Sequence, residues 1–266
     1  MSGIMNMLLG ARTAIAAAVD EFFNRVTLLL PGDGTNGAQN NTFLDSSTNN
    51  FTITRNGNTT QGTFSPFSQT GWSNYFDQSS RFSLNRAASS FGTNDFTIEC
   101  WWLANGSQSN YAGIIAQEFS STNGGWALKV RSTSDQVEFS YINSTPQNVT
   151  ASSNVNDGAW HHIAVTRSGT SLRIYIDGTL STTGTLPSAF SFGTGAGNTD
   201  IGYQTRDNAF IRGYVSNLRL VNGTALSTGS TYTVSTTPLT AVTNTSLLTC
   251  QSNRFIDNSS NAYAIT

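Results

Sequence analysis

Charge is scarce in this chain. Only 11% of its 266 residues are Asp, Glu, Lys or Arg, against roughly 25% in an ordinary globular domain. Lys129 is the only lysine, and the arginines stand singly with no basic run. Such a surface has no row of cations to neutralise phosphates, which excludes nucleic acid as a partner. With a formal net charge of −2, polarity falls to Ser, Thr, Asn, Gln and Gly. Apolar runs are short, below the ~20 residues a spanning helix needs, so no membrane span is expected. Cysteine is limited to Cys100 and Cys250. Each alternates with apolar residues, as a buried thiol or half of a disulfide, and neither has metal-ligand spacing.

Paired carboxylates are also missing. Glycoside hydrolysis takes two acidic side chains across the scissile bond. Glu21, Glu99, Glu118 and Glu138 are the only glutamates, and none has an acidic residue two positions away. No enzymatic activity is expected. His161 and His162 are adjacent, so on a strand they point to opposite faces and cannot share a mechanism. Both read as structural histidines.

What is present is a β pattern. Hydrophobic residues make up 37% and aromatics 11%, enough for one large core and unlike a disordered chain. From Val26 onward apolar residues alternate with polar ones. FTIECWW sets Phe96, Ile98, Cys100 and Trp102 on one face and Thr97, Glu99 and Trp101 on the other. GWALKVRS, QVEFSYIN, HHIAVTRS, LRIYIDG and IRGYVSNLRLVN continue the pattern between Gly, Asn and Ser clusters. The pattern predicts an all-β, two-sheet antiparallel sandwich or jelly roll. Asp177-Gly178 predicts a hairpin tip, because a type I′ turn needs positive φ twice.

The N-terminus differs. Every methionine and the densest alanine run fall within residues 1–26. Leu8, Ile15, Val19, Phe22 and Val26 recur at helical spacing, which predicts one amphipathic α-helix over residues 1–25. Such a helix is marginal alone, so its stripe is expected to make an assembly contact, in a homo-oligomer or on another protein. No basic residue precedes its apolar part and Arg12 interrupts it, so it reads as mature chain rather than a secretion signal.

One line is written twice. Phe43–Thr54 reads FLDSSTNNFTIT and Phe255–Thr266 reads FIDNSSNAYAIT, each after a leucine strand, TLLLPGDG or TSLLTCQ. The repeats predict like structures, with Asp45 and Asp257 capping turns.

DGAWHHIAVTRSGTSLRIYIDGTL, over Asp157–Leu180, resembles the centre of a laminin-G-like, concanavalin A-like jelly roll. WSNYFDQSSRFSL, FTIECWW and IRGYVSNLRLVNGTALS resemble its flanking pieces in order, so the resemblance spans residues 26–227. Residues 228–266 resemble the start of a further module. The two leucine-strand units resemble those of such modules in structural proteins of tailed phages of marine cyanobacteria. The resemblance implies a non-enzymatic virion structural protein exposed on the particle: a capsid decoration, fibre or tail appendage aiding host-surface attachment. Its helix would bind other virion proteins. The alternative is a calcium-assisted glycan-binding adhesion module outside any virion. By the same resemblance Trp72, Tyr75, Trp126 and Tyr203 are candidates to stack on a sugar, or core aromatics. No cofactor is required; calcium is the candidate ion, at Asp33, Asp45, Asp77 and Asp200, which otherwise read as turn caps.

Overall fold

The computed structural model describes residues 20, 22–30, 44–54, 64–67, 71–117, 119, 123–193, 197–252 and 254–266. In chain order the strands are β1 (Asn74–Asp77), β2 (Phe82–Leu84), β3 (Phe96–Ala104), β4 (Ala112–Gln117), β5 (Trp126–Val130), β6 (Gln136–Asn143) and β7 (Thr145–Asn154). There follow β8 (His161–Ser168), β9 (Ser171–Ile176), β10 (Thr179–Thr185), β11 (Thr199–Ile201), β12 (Tyr203–Gln204), β13 (Ala209–Phe210), β14 (Arg212–Asn222) and β15 (Thr245–Thr249). One sheet has seven strands in the order β1-β14-β3-β8-β9-β10, with β15 also on β14. The other has eight, in the order β12-β13-β4-β5-β6-β7, with β11 joining β4 and β2. Pairing is antiparallel apart from one short contact of β13 with β4. The expected all-β sandwich of two antiparallel sheets is therefore present.

The inner faces follow from alternation. Phe96, Ile98, Cys100 and Trp102 of β3 are fully buried, with Trp126, Leu128 and Val130 of β5 and Phe139 of β6 in the same core cluster. Thr97 and Glu99, predicted on the opposite face, are just as buried. The chain after β14 crosses that outer face. Thr97 Oγ1 donates to Thr224 O, Thr166 Oγ1 to Ser227 O and Tyr175 Oη to Gly229 O. Tyr232 then packs on Ala164 and Tyr175. Residues 245–266 complete the same body through β15 and a bridge between Leu84 and Ile265.

The helix expected over 1–25 falls mostly outside the described residues, Leu8, Ile15 and Val19 among them. Its end is corrected: Phe22 is exposed, Phe23–Arg25 form a single 3-10 turn, and Val26 is extended at φ −75° and ψ 116°. Asp20 Oδ1 accepts from Phe22 N at 2.9 Å and starts a new turn there. The β-branched pair Val26-Thr27 then favours extended chain.

Asp177 and Gly178 form the predicted hairpin tip, at φ 50° and 81°, with Thr179 opposite Ile176. A Cβ on Gly178 would also stand 2.9 Å from Tyr232 O. Gly178→Val is expected to cost about 1–2 kcal/mol from positive φ alone, and more from that contact. Thermal unfolding measures it, and an unchanged melting temperature would contradict the turn.

Candidate functional site

An aromatic platform lies at the β1–β14 edge of the seven-stranded sheet. Tyr75 on β1 stands opposite Tyr214 on β14, and directly opposed residues share a face; their rings are 4.9 Å apart. Phe64 lies 4.4 Å from Tyr214 and 5.6 Å from Trp160, and Trp160 lies 6.5 Å from Tyr214. Phe64 is 51% exposed, Tyr75 44% and nearby Trp72 40%, values that leave ring surface open to a ligand. Trp72 is tied to the same edge through its carbonyl, which accepts from Ser216 Oγ.

A polar cluster begins at the residue after Trp160. His161 Nδ1 contacts Asp177 Oδ2 at 2.7 Å, and its Nε2 contacts Asp157 Oδ1 at 2.9 Å. Burial lowers the affinity of this ring for a proton, but hydrogen bonds to Asp177 and Asp157 outweigh it and raise the pKa above the ordinary histidine value. Both carboxylates are about half exposed, with lone pairs free to accept hydroxyl groups. Among the described residues no hydroxyl or thiol is hydrogen-bonded to either histidine ring.

Beside the platform, on the same outer face, the sheet holds a buried ionic triad. Glu99 on β3 lies opposite Arg219 on β14 and diagonal to His162 on β8. Glu99 Oε1 accepts from Arg219 Nε at 2.8 Å and Nη2 at 2.5 Å, and His162 Nε2 is 3.1 Å from Oε2. Burial raises the Glu99 carboxyl, but the hydrogen bond to His162 and the charge of Arg219 prevail and lower it. The Tyr232 ring covers His162 at 5.4 Å. On the other sheet, Lys129 pairs with Glu138 at 3.2 Å, beneath the rings of Tyr111 and Phe119. Ser140 and Thr150 donate to the same carboxylate. Glu99 and Glu138 are thus each held in a separate buried network rather than paired across a cleft.

The sequence candidates fall in different places. Tyr75 lies in the platform, and Trp72 is joined to the same sheet edge through its backbone carbonyl. Trp126 does not: it is fully buried between the sheets, its ring 5.7 Å from Phe139, because alternation turns it inward with Leu128 and Val130. Tyr203 is buried in the eight-stranded sheet, its ring 4.4 Å from Phe210 and under the Arg81 guanidinium at 4.6 Å. Phe64, Trp160 and Tyr214 were not singled out from sequence; they meet only through strand pairing and a loop.

The calcium candidates do not converge. Asp33 lies outside the described residues. Asp45 accepts from Leu29, Ser47 and Phe51; burial raises its carboxyl, and those backbone N–H groups bring it down to about 2. Asp77 is lowered to about 2 by the Ser79 and Ser80 hydroxyls. Asp200 accepts from Ser83 Oγ and lies 3.7 Å from Arg81. Their lone pairs serve as turn and strand acceptors, a poor fit to an ion wanting six to eight oxygens. Among the described residues no cluster of three or more His, Cys, Asp or Glu could hold a metal. Cys100 and Cys250 are free buried thiols, Cys250 pushed up to about 12 by burial.

A family model described as "Concanavalin A-like lectin/glucanases superfamily" (Laminin_G_3) matches residues 76–230. No curated protein matches. Among solved structures, domains LG4-5 of the mouse laminin alpha1 chain are 17% identical with a TM-score of 0.43, covering 59% of this chain and 44% of that chain. The CBM40 of a Ruminococcus gnavus IT-sialidase is 12% identical with a TM-score of 0.48, covering 58% of this chain and 91% of that one. Domain 4 of AbnA, a GH43 extracellular arabinanase from Geobacillus stearothermophilus, in complex with arabinotriose, is 16% identical with a TM-score of 0.44, covering 60% and 80%. Likenesses this distant concern the fold alone.

Proposed function

This chain belongs to the concanavalin A-like lectin/glucanases superfamily, and we propose that it is a non-catalytic glycan-binding module displayed on a virion. The platform of Phe64, Tyr75, Trp160 and Tyr214 carries the proposal. Aromatic rings that stay open on one face suit the apolar face of a sugar, and amphipathic Tyr and Trp suit a wet site. The half-exposed carboxylates of Asp157 and Asp177 are acceptors near its Trp160 end. The engagement of Glu99 and Glu138 in two separate buried ion-pair networks supports binding without hydrolysis. The virion setting rests on the resemblance of the leucine-strand units to phage modules. A surface poor in charge suits it, since uncharged contacts lose little to salt.

A glycan array with and without calcium tests the binding. Hits should persist in chelator, and Tyr214→Ala should weaken them roughly ten-fold, a loss of about 1–2 kcal/mol, with little change in melting temperature. Silence under both conditions would refute glycan binding. Absence of the chain from purified particles would separately refute the virion setting.

A further inference from the structure

The two repeats build the same hydrogen-bonded unit in two different surroundings. Asp257 Oδ1 accepts from Leu248 N at 3.0 Å and Ser259 N at 2.8 Å, and its Oδ2 from Ser259 Oγ at 2.8 Å and Tyr263 N at 3.0 Å. Asp45 Oδ1 accepts from Leu29 N at 3.0 Å and Ser47 N at 2.9 Å, and its Oδ2 from Ser47 Oγ and Phe51 N, both at 2.9 Å. Asn49 Nδ2 donates to Thr27 O, and Asn261 Nδ2 to Ser246 O. The turns close at Asn50 with φ 48° and at Ala262 with φ 47°. Leu28, Leu29 and Phe51 therefore correspond to Leu247, Leu248 and Tyr263.

Burial separates the copies. Leu247 and Leu248 are 0% and 2% exposed, whereas Leu28 and Leu29 are 51% and 38% exposed. Tyr263 packs on the core, and Phe51 is 56% exposed. The seat of the C-terminal copy is the β14 edge opposite Leu218–Val221, together with Ser83 and Leu84 of β2, which pair with Thr266 and Ile265. β1 occupies the next stretch of that edge, opposite Arg212–Val215, and runs in the same direction as β15. A strand arriving from upstream of β1 would enter the seat in the right direction.

We propose that this β14–β2 seat is an interaction surface for either unit, and that residues 27–54 of the same chain are its second occupant when residues 245–266 leave it. Residues 55–63 join the N-terminal unit to Phe64, which is itself seated 4.4 Å from Tyr214 of β14, and a stretch of that length can reach about 30 Å at ~3.3 Å per residue. A tether of that kind gives a local concentration on the order of millimolar, so the chain's own unit outcompetes a second copy. Cys250 holds φ 58° in the seated unit, and its counterpart is Pro31, whose ring fixes φ near −65°. That difference gives the C-terminal unit first claim on the seat.

Full-length Asp45→Ala, Asp257→Ala and the double variant test the proposal by thermal unfolding and hydrogen exchange. Asp45→Ala should leave the melting temperature unchanged. Asp257→Ala should lower it modestly while the Leu28–Leu30 amides gain protection independent of protein concentration. The double variant should fall by more than the sum of the two shifts. Additive shifts, unprotected Leu28–Leu30 amides, or Asp257→Ala as damaging as the double variant would each overturn the proposal. Protection that appears only with dimerisation would overturn it too, in favour of a second copy as occupant.

Discussion

Arg219→Ala is expected to destabilise the sandwich by about 3–5 kcal/mol, the usual cost of breaking a buried ion pair from one side. Glu99 is 1% exposed and holds two of its contacts through this guanidinium. Truncating Arg219 leaves the carboxylate with His162 alone, in a place water does not reach. It also removes the bond from Arg219 Nη1 to Thr240 O, which pins the crossing segment to the sheet. The pH dependence follows from the depressed folded pKa of Glu99. Its contribution is complete above the unfolded carboxylate value and is lost as pH falls through the lower folded value. In Arg219→Ala that loss should begin at higher pH. Denaturant unfolding at neutral and acidic pH measures both effects, and a change below about 1 kcal/mol would mean the triad is dispensable. Glu99→Leu with Arg219→Met should recover much of the loss, since an apolar pair of similar size removes the desolvation cost as well as the attraction.

Trp126→Ala should cost about 3–5 kcal/mol, as for other fully buried aromatics. Its ring lies 5.5 Å from Phe91 and 5.7 Å from Phe139, and its indole Nε1 donates to Ser89 O at 3.4 Å. Removing it opens a cavity between the sheets that neighbours on paired strands cannot close by moving together. Tyr214→Ala should show the opposite pattern, with glycan binding weakened and stability nearly kept. Trp126→Phe should recover part of the stability without altering glycan affinity. A Trp126→Ala protein that melts normally but binds no glycan would return Trp126 to the candidate site and remove it from the core.

Local chemistry was legible in the residues themselves. The two-residue alternation in Phe96–Trp102 named the inner face correctly, because a pleated strand leaves no other way to bury every second side chain. Asp177-Gly178 declared its turn, because two positive φ angles in a row narrow the choice of residue. The repeats declared their matching caps, because an Asp carboxylate followed two residues later by Ser can satisfy the turn without distant help. The strand AGIIAQ of β4 was less visible, since both its faces are buried and nothing alternates. The polar β7, TPQNVTASSN, was hidden for the opposite reason, having little apolar signal. Tertiary structure alone decided which aromatics meet. Tyr75 and Tyr214 are 139 positions apart in the sequence and touch because β1 and β14 pair in one register. Trp126 and Tyr203 carry the same side-chain chemistry yet are buried away from the platform. Burial of Glu99 likewise depended on a later segment crossing the sheet, a contact with no local trace. Side-chain periodicity says which face a residue takes; only pairing and covering segments say whether that face meets water.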